Sequence, residues 1–172
     1  MASSVCYHGL MSETFSFSYF GSTIIARSLG LQFTPPLDQT ITAHCIPVTD
    51  DGMVVAADVT KRGVDVPGGH IDNGESAEEA MRRETHEETF VTVEKPVLID
   101  VWKLSSDDER IGLAAKPYLL LYAAKVKSIE DFVANDEVSS RLILTPSEFI
   151  SEYFGDKKQA AKMVAQAIAA LR

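Results

Sequence analysis

The stretch that most constrains this chain is residues 67–91, PGGHIDNGESAEEAMRRETHEETFV. It reads as a glycine turn, an acidic loop, and then a helix with carboxylates gathered on one face. Ser76 is placed to cap that helix, and Glu79, three residues on, completes an S-x-x-E capping box. Glu78 and Glu79 fall in the first turn, where the positive end of the helix dipole favours them. Nothing breaks a helix over residues 77–89, and Ala77, Ala80 and Met81 supply an apolar stripe for a core.

Glu84, Glu87 and Glu88 then stand at i, i+3 and i+4, so their side chains leave the helix from one patch. Like charges at these spacings cost about 0.2–0.5 kcal/mol per pair, and Arg83 offsets only part of that. An all-oxygen carboxylate set suits a hard divalent cation such as Mg²⁺, with Mn²⁺ as a substitute. A merely solvated acidic face would show the same glutamates, and on these residues alone both readings stand.

The wider spacing separates them. Gly69, five residues, Glu75, seven residues, Arg83-Glu84, two residues and Glu87-Glu88 follow the pattern G-x5-E-x7-R-E-U-x-E-E-x-G-U, where U is aliphatic. This resembles the Nudix box of the Nudix hydrolases, here at residues 69–91 and preceded by Pro67-Gly68 as is common in that family. Two positions depart from it. Thr85 stands where an aliphatic residue is usual, and Phe90 replaces the glycine that usually ends the helix. A left-handed conformation there costs a non-glycine residue about 1–2 kcal/mol, so the helix either ends differently or Phe90 carries strain.

The resemblance implies an α/β fold, an α/β/α sandwich with a mixed sheet, over residues 40–172. It implies metal-dependent hydrolysis of a pyrophosphate bond in a nucleoside diphosphate linked to another moiety. Glu84, Glu87 and Glu88 would be metal ligands, with the Gly68 carbonyl. Glu75 would bind metal through water or hold its loop. Arg83 would orient a box carboxylate through a bidentate salt bridge, and Gly68 and Gly69 would let the backbone approach closely. For the general base Glu137 resembles the loop glutamate of several relatives; Asp136, Glu84 and Glu87 are its rivals. The signatures of coenzyme A, ADP-ribose and dinucleoside polyphosphate hydrolases are not evident downstream of the box. Elimination therefore leans to a nucleoside triphosphate, with an ADP-ribose or nucleotide-sugar pyrophosphatase, or a non-catalytic nucleotide-binding module, as alternatives.

At 172 residues the chain holds one good core but not two. Its 45% hydrophobic and 24% charged residues are ordinary for a globular protein, and no apolar run reaches the roughly 20 residues of a membrane span. No signal peptide is evident, and Cys6 and Cys45 read as reduced structural thiols, so a cytoplasmic location is expected. A net charge of −9 argues against nucleic acid or an anionic membrane as partner. It would also repel a polyphosphate unless cations intervene.

Residues 1–39 read as an N-terminal extension that adds strands. Phe15, Phe17 and Tyr19 alternate with Ser16, Ser18 and Phe20, the period of a strand, and a second short strand runs through Ile24-Ile25. These aromatics would cover the sheet, stack on a nucleobase or line a homodimer contact. Residues 41–48 and 53–59 form a strand pair around Thr49-Asp50-Asp51-Gly52. Lys61 and Arg62 read as a basic turn that is either solvated or within reach of a substrate phosphate. His70 and His86 have no partner at ligand spacing, and His8 and His44 carry no signal. Residues 91–102 look extended but interrupted at Lys95-Pro96, residues 105–110 form an exposed loop, and residues 117–126 are a central strand. Residues 138–144 form another. Thr145 to Glu148 is a second capping box, starting a helix that carries Phe149, Ile150, Tyr153 and Phe154 up to Gly155. The last helix, 156–171, shows a core stripe of Ala160, Val164, Ala167, Ile168 and Leu171.

Overall fold

Alternating burial along the strands sets the layers of this computed structural model, which describes residues 13–19 and 21–172; Cys6, His8 and Phe20 lie outside them. In chain order the elements are β1 (Thr14–Tyr19), β2 (Ser22–Ser28), β3 (Thr40–Val48), β4 (Val54–Val59), β5 (Gly63–Asp65), β6 (Gly68–His70), α1 (Ala77–Thr89), β7 (Val91–Ser105), β8 (Tyr118–Ile129), β9 (Val138–Leu144), α2 (Pro146–Glu152) and α3 (Lys157–Ala170). The strands form one mixed sheet with the path β1-β2-β7-β8-β3-β4-β5, while β6 pairs with β3 and β9 with β4. β3 and β8 run parallel and the other pairs antiparallel.

On one face Ala43 and Cys45 of β3, and Leu120 and Ala124 of β8, pack against Ala77, Ala80 and Met81 of α1. On the other, Ile46, Val48, Leu119, Leu121 and Ala123 meet Phe149 of α2 and Ala160, Met163, Val164 and Ala167 of α3. This is the expected α/β/α sandwich. Buried on both faces, β8 is apolar throughout its central part, as a central strand must be. Burial of a side chain such as Met81 or Phe149 contributes about 1.5–3 kcal/mol. Thr85 is fully buried beside Met81, so its methyl does pack where an aliphatic residue is usual. No helix among the described residues is long and apolar enough to cross a membrane.

Several local readings change. Gly68–His70 is not simply a turn: it pairs with β3, Gly69 opposite Ala43 and Gly68 opposite His44. Lys95-Pro96 does not end its strand; the register shifts between Glu94 and Val97, Lys95 takes φ 46°, and β7 runs on to Ser105. Tyr153 and Phe154 lie beyond α2, because Tyr153 turns extended to bridge Val64 and the Phe154 amide donates to the Val64 carbonyl at 2.8 Å. Gly155 therefore does not stop that helix.

Phe90 takes the left-handed conformation itself, φ 54° and ψ 37°, with its amide donating to the His86 carbonyl. Its surroundings offset the strain. The Phe90 ring meets Phe132 edge-on at 5.6 Å. Arg141, over the Phe132 ring, donates to the Thr89 carbonyl at 2.9 Å and the Glu130 carbonyl at 2.8 Å, a cation on the negative end of α1.

The β1–β2 hairpin continues the sheet through β2 and β7. Phe15, Phe17 and Tyr19 pack on the same core as α3, with Phe15 edge-on to Trp102 at 4.8 Å. Asp100, 0% exposed, pins the junction: its carboxylate accepts from Ser28 Oγ, the Gly30 and Val101 amides and Trp102 Nε1.

Candidate active site

The helix α1 starts as its sequence dictates. Ser76 Oγ accepts from the Glu79 amide, and the Glu79 carboxylate accepts from the Ser76 amide at 2.8 Å. Entry is thus fixed, and the second half of α1 faces β6. There the glycines set the distances. A Cβ at Gly69 would lie 2.4 Å from the Glu84 carboxylate, and one at Gly68 would lie 2.5 Å from His44. Only glycine allows the carboxylates this close to the strand. Glu88 Oε2 accepts from the Gly68 amide at 2.9 Å, so strand and helix are joined through one of the box carboxylates.

Arg83 organises the other carboxylates. Its Nε and Nη2 take both Glu75 oxygens at 3.0 Å, its Nη1 reaches Glu84 at 2.9 Å and Glu87 at 3.2 Å, and Nη2 also donates to the His70 carbonyl. Planar two-point bonding of this kind needs a guanidinium. Arg83 holds Glu75 below the usual carboxylate range. Glu84 is raised instead, because its burial outweighs Arg83. Glu88, 9% exposed, is pushed up to about 7 by burial, against the opposing pull of the Gly68 amide and Arg62.

Glu84 and Glu88 open, with Gly68 and Gly69, into a cleft of about 1360 Å³. Glu137 and Asp136 stand on the same cleft, brought there by a loop in which Asn135 Oδ1 accepts from the Glu137 and Val138 amides. Glu75 and Glu87 do not line it; Glu87, its side chain 55% exposed, is drawn by Arg83 to the rim. As the side chains stand, no three His, Cys, Asp or Glu among the described residues converge closely enough to hold an ion. The donor set nonetheless fits a hard cation: desolvated carboxylates with raised pKa values, a glycine cradle that a Cβ would fill, and no soft ligand at its centre.

Two cleft residues escaped the sequence reading. His44 lies half-buried in the floor, its ring bonded to the Val66 backbone; desolvation, then the charge of Arg62, lowers its pKa to about 3, so it is neutral. Asp65, 5% exposed, takes Arg62 Nε at 2.8 Å, and burial raises its pKa despite that partner. An acid between Val64 and Val66 was the available signal, since a charge inside an apolar strand requires a partner. The hairpin enters as well: Ser16, Phe17 and Ser18 line the same cleft, so Phe17, one of the aromatics expected to cover the sheet or meet a ligand, both packs on the core and faces the cleft. His70 lies on the cleft as well, whereas His86 sits outside it beside Glu130 at 3.4 Å.

Comparison with known proteins agrees with the fold. The family model described as NUDIX domain matches residues 38–167. Among solved structures, a Bacillus subtilis pyrophosphohydrolase, BsRppH, aligns with a TM-score of 0.64 at 17% identity, over 91% of this chain and 95% of its own. The NUDIX domain of Shewanella oneidensis NrtR, solved with ADP ribose, gives 0.61 at 19% identity, over 82% of this chain and 92% of that one. A Caenorhabditis elegans Ap4A hydrolase gives 0.57 at 18% identity, over 76% and 97%. A search of the curated proteins found no match. On the match over most of its length and the fold it shares with these structures, the chain belongs to the NUDIX family, that of the Nudix hydrolases.

Proposed function

We propose that the cleft hydrolyses a pyrophosphate bond in a nucleoside diphosphate linked to another group, with a nucleoside triphosphate as the leading substrate and Mg²⁺, or Mn²⁺ in its place, as cofactor. The observation that carries this is the seating of two desolvated carboxylates, Glu84 against Gly69 and Glu88 against Gly68, at the end of a large cleft. Phosphoryl transfer needs chiefly positioning and charge neutralisation, and this end of the cleft is built for both.

Glu84, Glu88 and the Gly68 carbonyl would hold the cation, and Glu87 would join them by leaving Arg83. When bound, a divalent cation neutralises phosphate oxygens and acidifies water. Arg83 keeps Glu75 and Glu84 oriented while Glu75 braces the loop. Glu137 is the proposed general base, an acid on the cleft wall beside the loop of Lys61 and Arg62. His44, kept neutral by desolvation, would serve as a hydrogen-bonding group on the cleft wall. Residues 40–172 would form the catalytic domain and residues 1–39 an N-terminal extension, whose described β1–β2 hairpin adds to the cleft.

ADP-ribose or a nucleotide sugar is the second substrate class, supported by the ADP ribose held in the NrtR domain. The test is a panel of ordinary and oxidised nucleoside triphosphates, ADP-ribose, nucleotide sugars, dinucleoside polyphosphates and NADH, with Mg²⁺ and with Mn²⁺. Metal-dependent cleavage of one class, read by chromatography as its nucleoside monophosphate or other phosphorylated product together with any pyrophosphate or phosphate, supports the reading. Silence across the panel, with divalent metal shown to bind, contradicts it.

A further inference from the structure

The turn between β4 and β5 carries a cation that is fixed at one edge and open at the other. The Arg62 amide donates to the Val59 carbonyl, which closes the turn. Its Nε donates to Asp65 Oδ2 at 2.8 Å, and its guanidinium lies over the Phe154 ring, 5.7 Å from the centroid. Asp65 is itself anchored, since its Oδ1 accepts from the Val66 amide at 2.7 Å. Among the described residues the two terminal nitrogens of Arg62 make no hydrogen bond, although the side chain is only 23% exposed. Arg62 lies on the cleft with Glu84 and Glu88 and acts electrostatically on both Glu88 and His44.

A cation serving only to neutralise the box would bond to it. Arg62 does not: the Glu88 carboxylate takes the Gly68 amide, and Glu84 takes Arg83. The chain instead sets the buried Asp65 and Tyr153 and the half-buried Phe154 around Arg62, with Tyr153 and Phe154 bridging back to Val64. That arrangement leaves the two terminal nitrogens of a fixed guanidinium on a cleft whose lining holds more carboxylates than cations. A planar fork of this kind matches two oxygens of a phosphate group.

We propose that Arg62 is a substrate-binding residue that grips the non-bridging oxygens of a phosphate group, with Asp65 and Phe154 as the residues that position it. This rests on the reading that the cleft takes a diphosphate, and adds which protein group balances the substrate charge that the metal does not meet. An acidic protein of net charge −9 needs such a fixed cation to hold a polyanion beside its own glutamates.

The experiment uses the full chain with Mg²⁺. Binding of methylenediphosphonate, a non-hydrolysable diphosphate, is measured by calorimetry, and KM and kcat are measured on the best substrate of the panel. Arg62→Gln should weaken the diphosphate and raise KM by about 10-fold or more, the scale of a lost charge-assisted pair, with a smaller change in kcat. Arg62→Lys should restore little, since an ammonium cannot hold Asp65 and present a fork. The double variant Arg62→Gln/Asp65→Asn removes the pair together, which protects folding, and should show the same loss. A purely structural role would lower the melting temperature of Arg62→Gln while leaving KM and the diphosphate affinity unchanged; that result overturns the proposal and leaves the hydrolase reading standing. A wild-type protein that neither binds the diphosphate nor turns over any panel substrate overturns both.

Discussion

Replacing Glu88 with glutamine should make the metal-free protein more stable at alkaline pH, although it removes a proposed metal ligand. Burial raises the Glu88 carboxyl from 4.5 to about 7. A group whose folded pKa lies above its unfolded value contributes stability that is full below about 4.5 and is lost as pH rises through about 7. At pH 8 the folded protein therefore carries an ionised, desolvated carboxylate that costs about 3 kcal/mol, from roughly 2.5 pKa units at 1.36 kcal/mol each. Glutamine has no such charge, and its carbonyl can still accept from the Gly68 amide. With the metal chelated, Glu88→Gln should gain about 2–3 kcal/mol at pH 8, near 4–12 °C in Tm for a chain this size. At pH 5 the gain should shrink below about 1 kcal/mol. Thermal unfolding in EDTA at the two pH values measures both. A variant no more stable than wild type at pH 8, or equally stabilised at both pH values, would refute the reasoning.

Other substitutions test the same structure. Gly69→Ala places a Cβ 2.4 Å from the Glu84 carboxylate, so turnover should drop about 10- to 100-fold while circular dichroism and Tm change little. Phe90→Gly should be more stable than Phe90→Ala by about 1 kcal/mol in denaturant unfolding, because alanine keeps the left-handed strain and both lose the ring contact with Phe132. Asp100→Ala strands four donors and should cost about 3 kcal/mol or more; hydrogen exchange should show the β1–β2 hairpin opening before the rest of the sheet.

What could be read from the sequence was what local chemistry decides. The capping boxes at Ser76 and Thr145 depend on residues three apart, and both form as written. The apolar run of β8 announced a strand covered on both faces, and the spacing of Arg83, Glu84, Glu87 and Glu88 carried the family. Long-range pairing was not legible. Nothing near Gly68 shows that it will lie opposite His44, so His44 gave no sign of its place in the cleft floor. Likewise Tyr153 and Phe154 looked helical because their spacing fits α2, whereas their backbone answers to Val64, about ninety residues away. The sequence leaves Arg62 as either a solvated turn or a phosphate contact, and it does not show that Asp65 and Phe154 hold its guanidinium in place. Phe90 was the opposite case: the strain was foreseeable from the missing glycine, but not the Arg141 and Phe132 contacts that offset it.

The most direct test of the central claim is the rate of pyrophosphate-bond hydrolysis in wild type and Glu87→Gln, each with Mg²⁺ and with EDTA, on the best panel substrate. The account predicts turnover only for wild type with metal, and a loss of at least about 100-fold in a folded Glu87→Gln protein, since that carboxylate must leave Arg83 to complete the cation site. Undiminished turnover in Glu87→Gln, or hydrolysis that persists in EDTA, would contradict it.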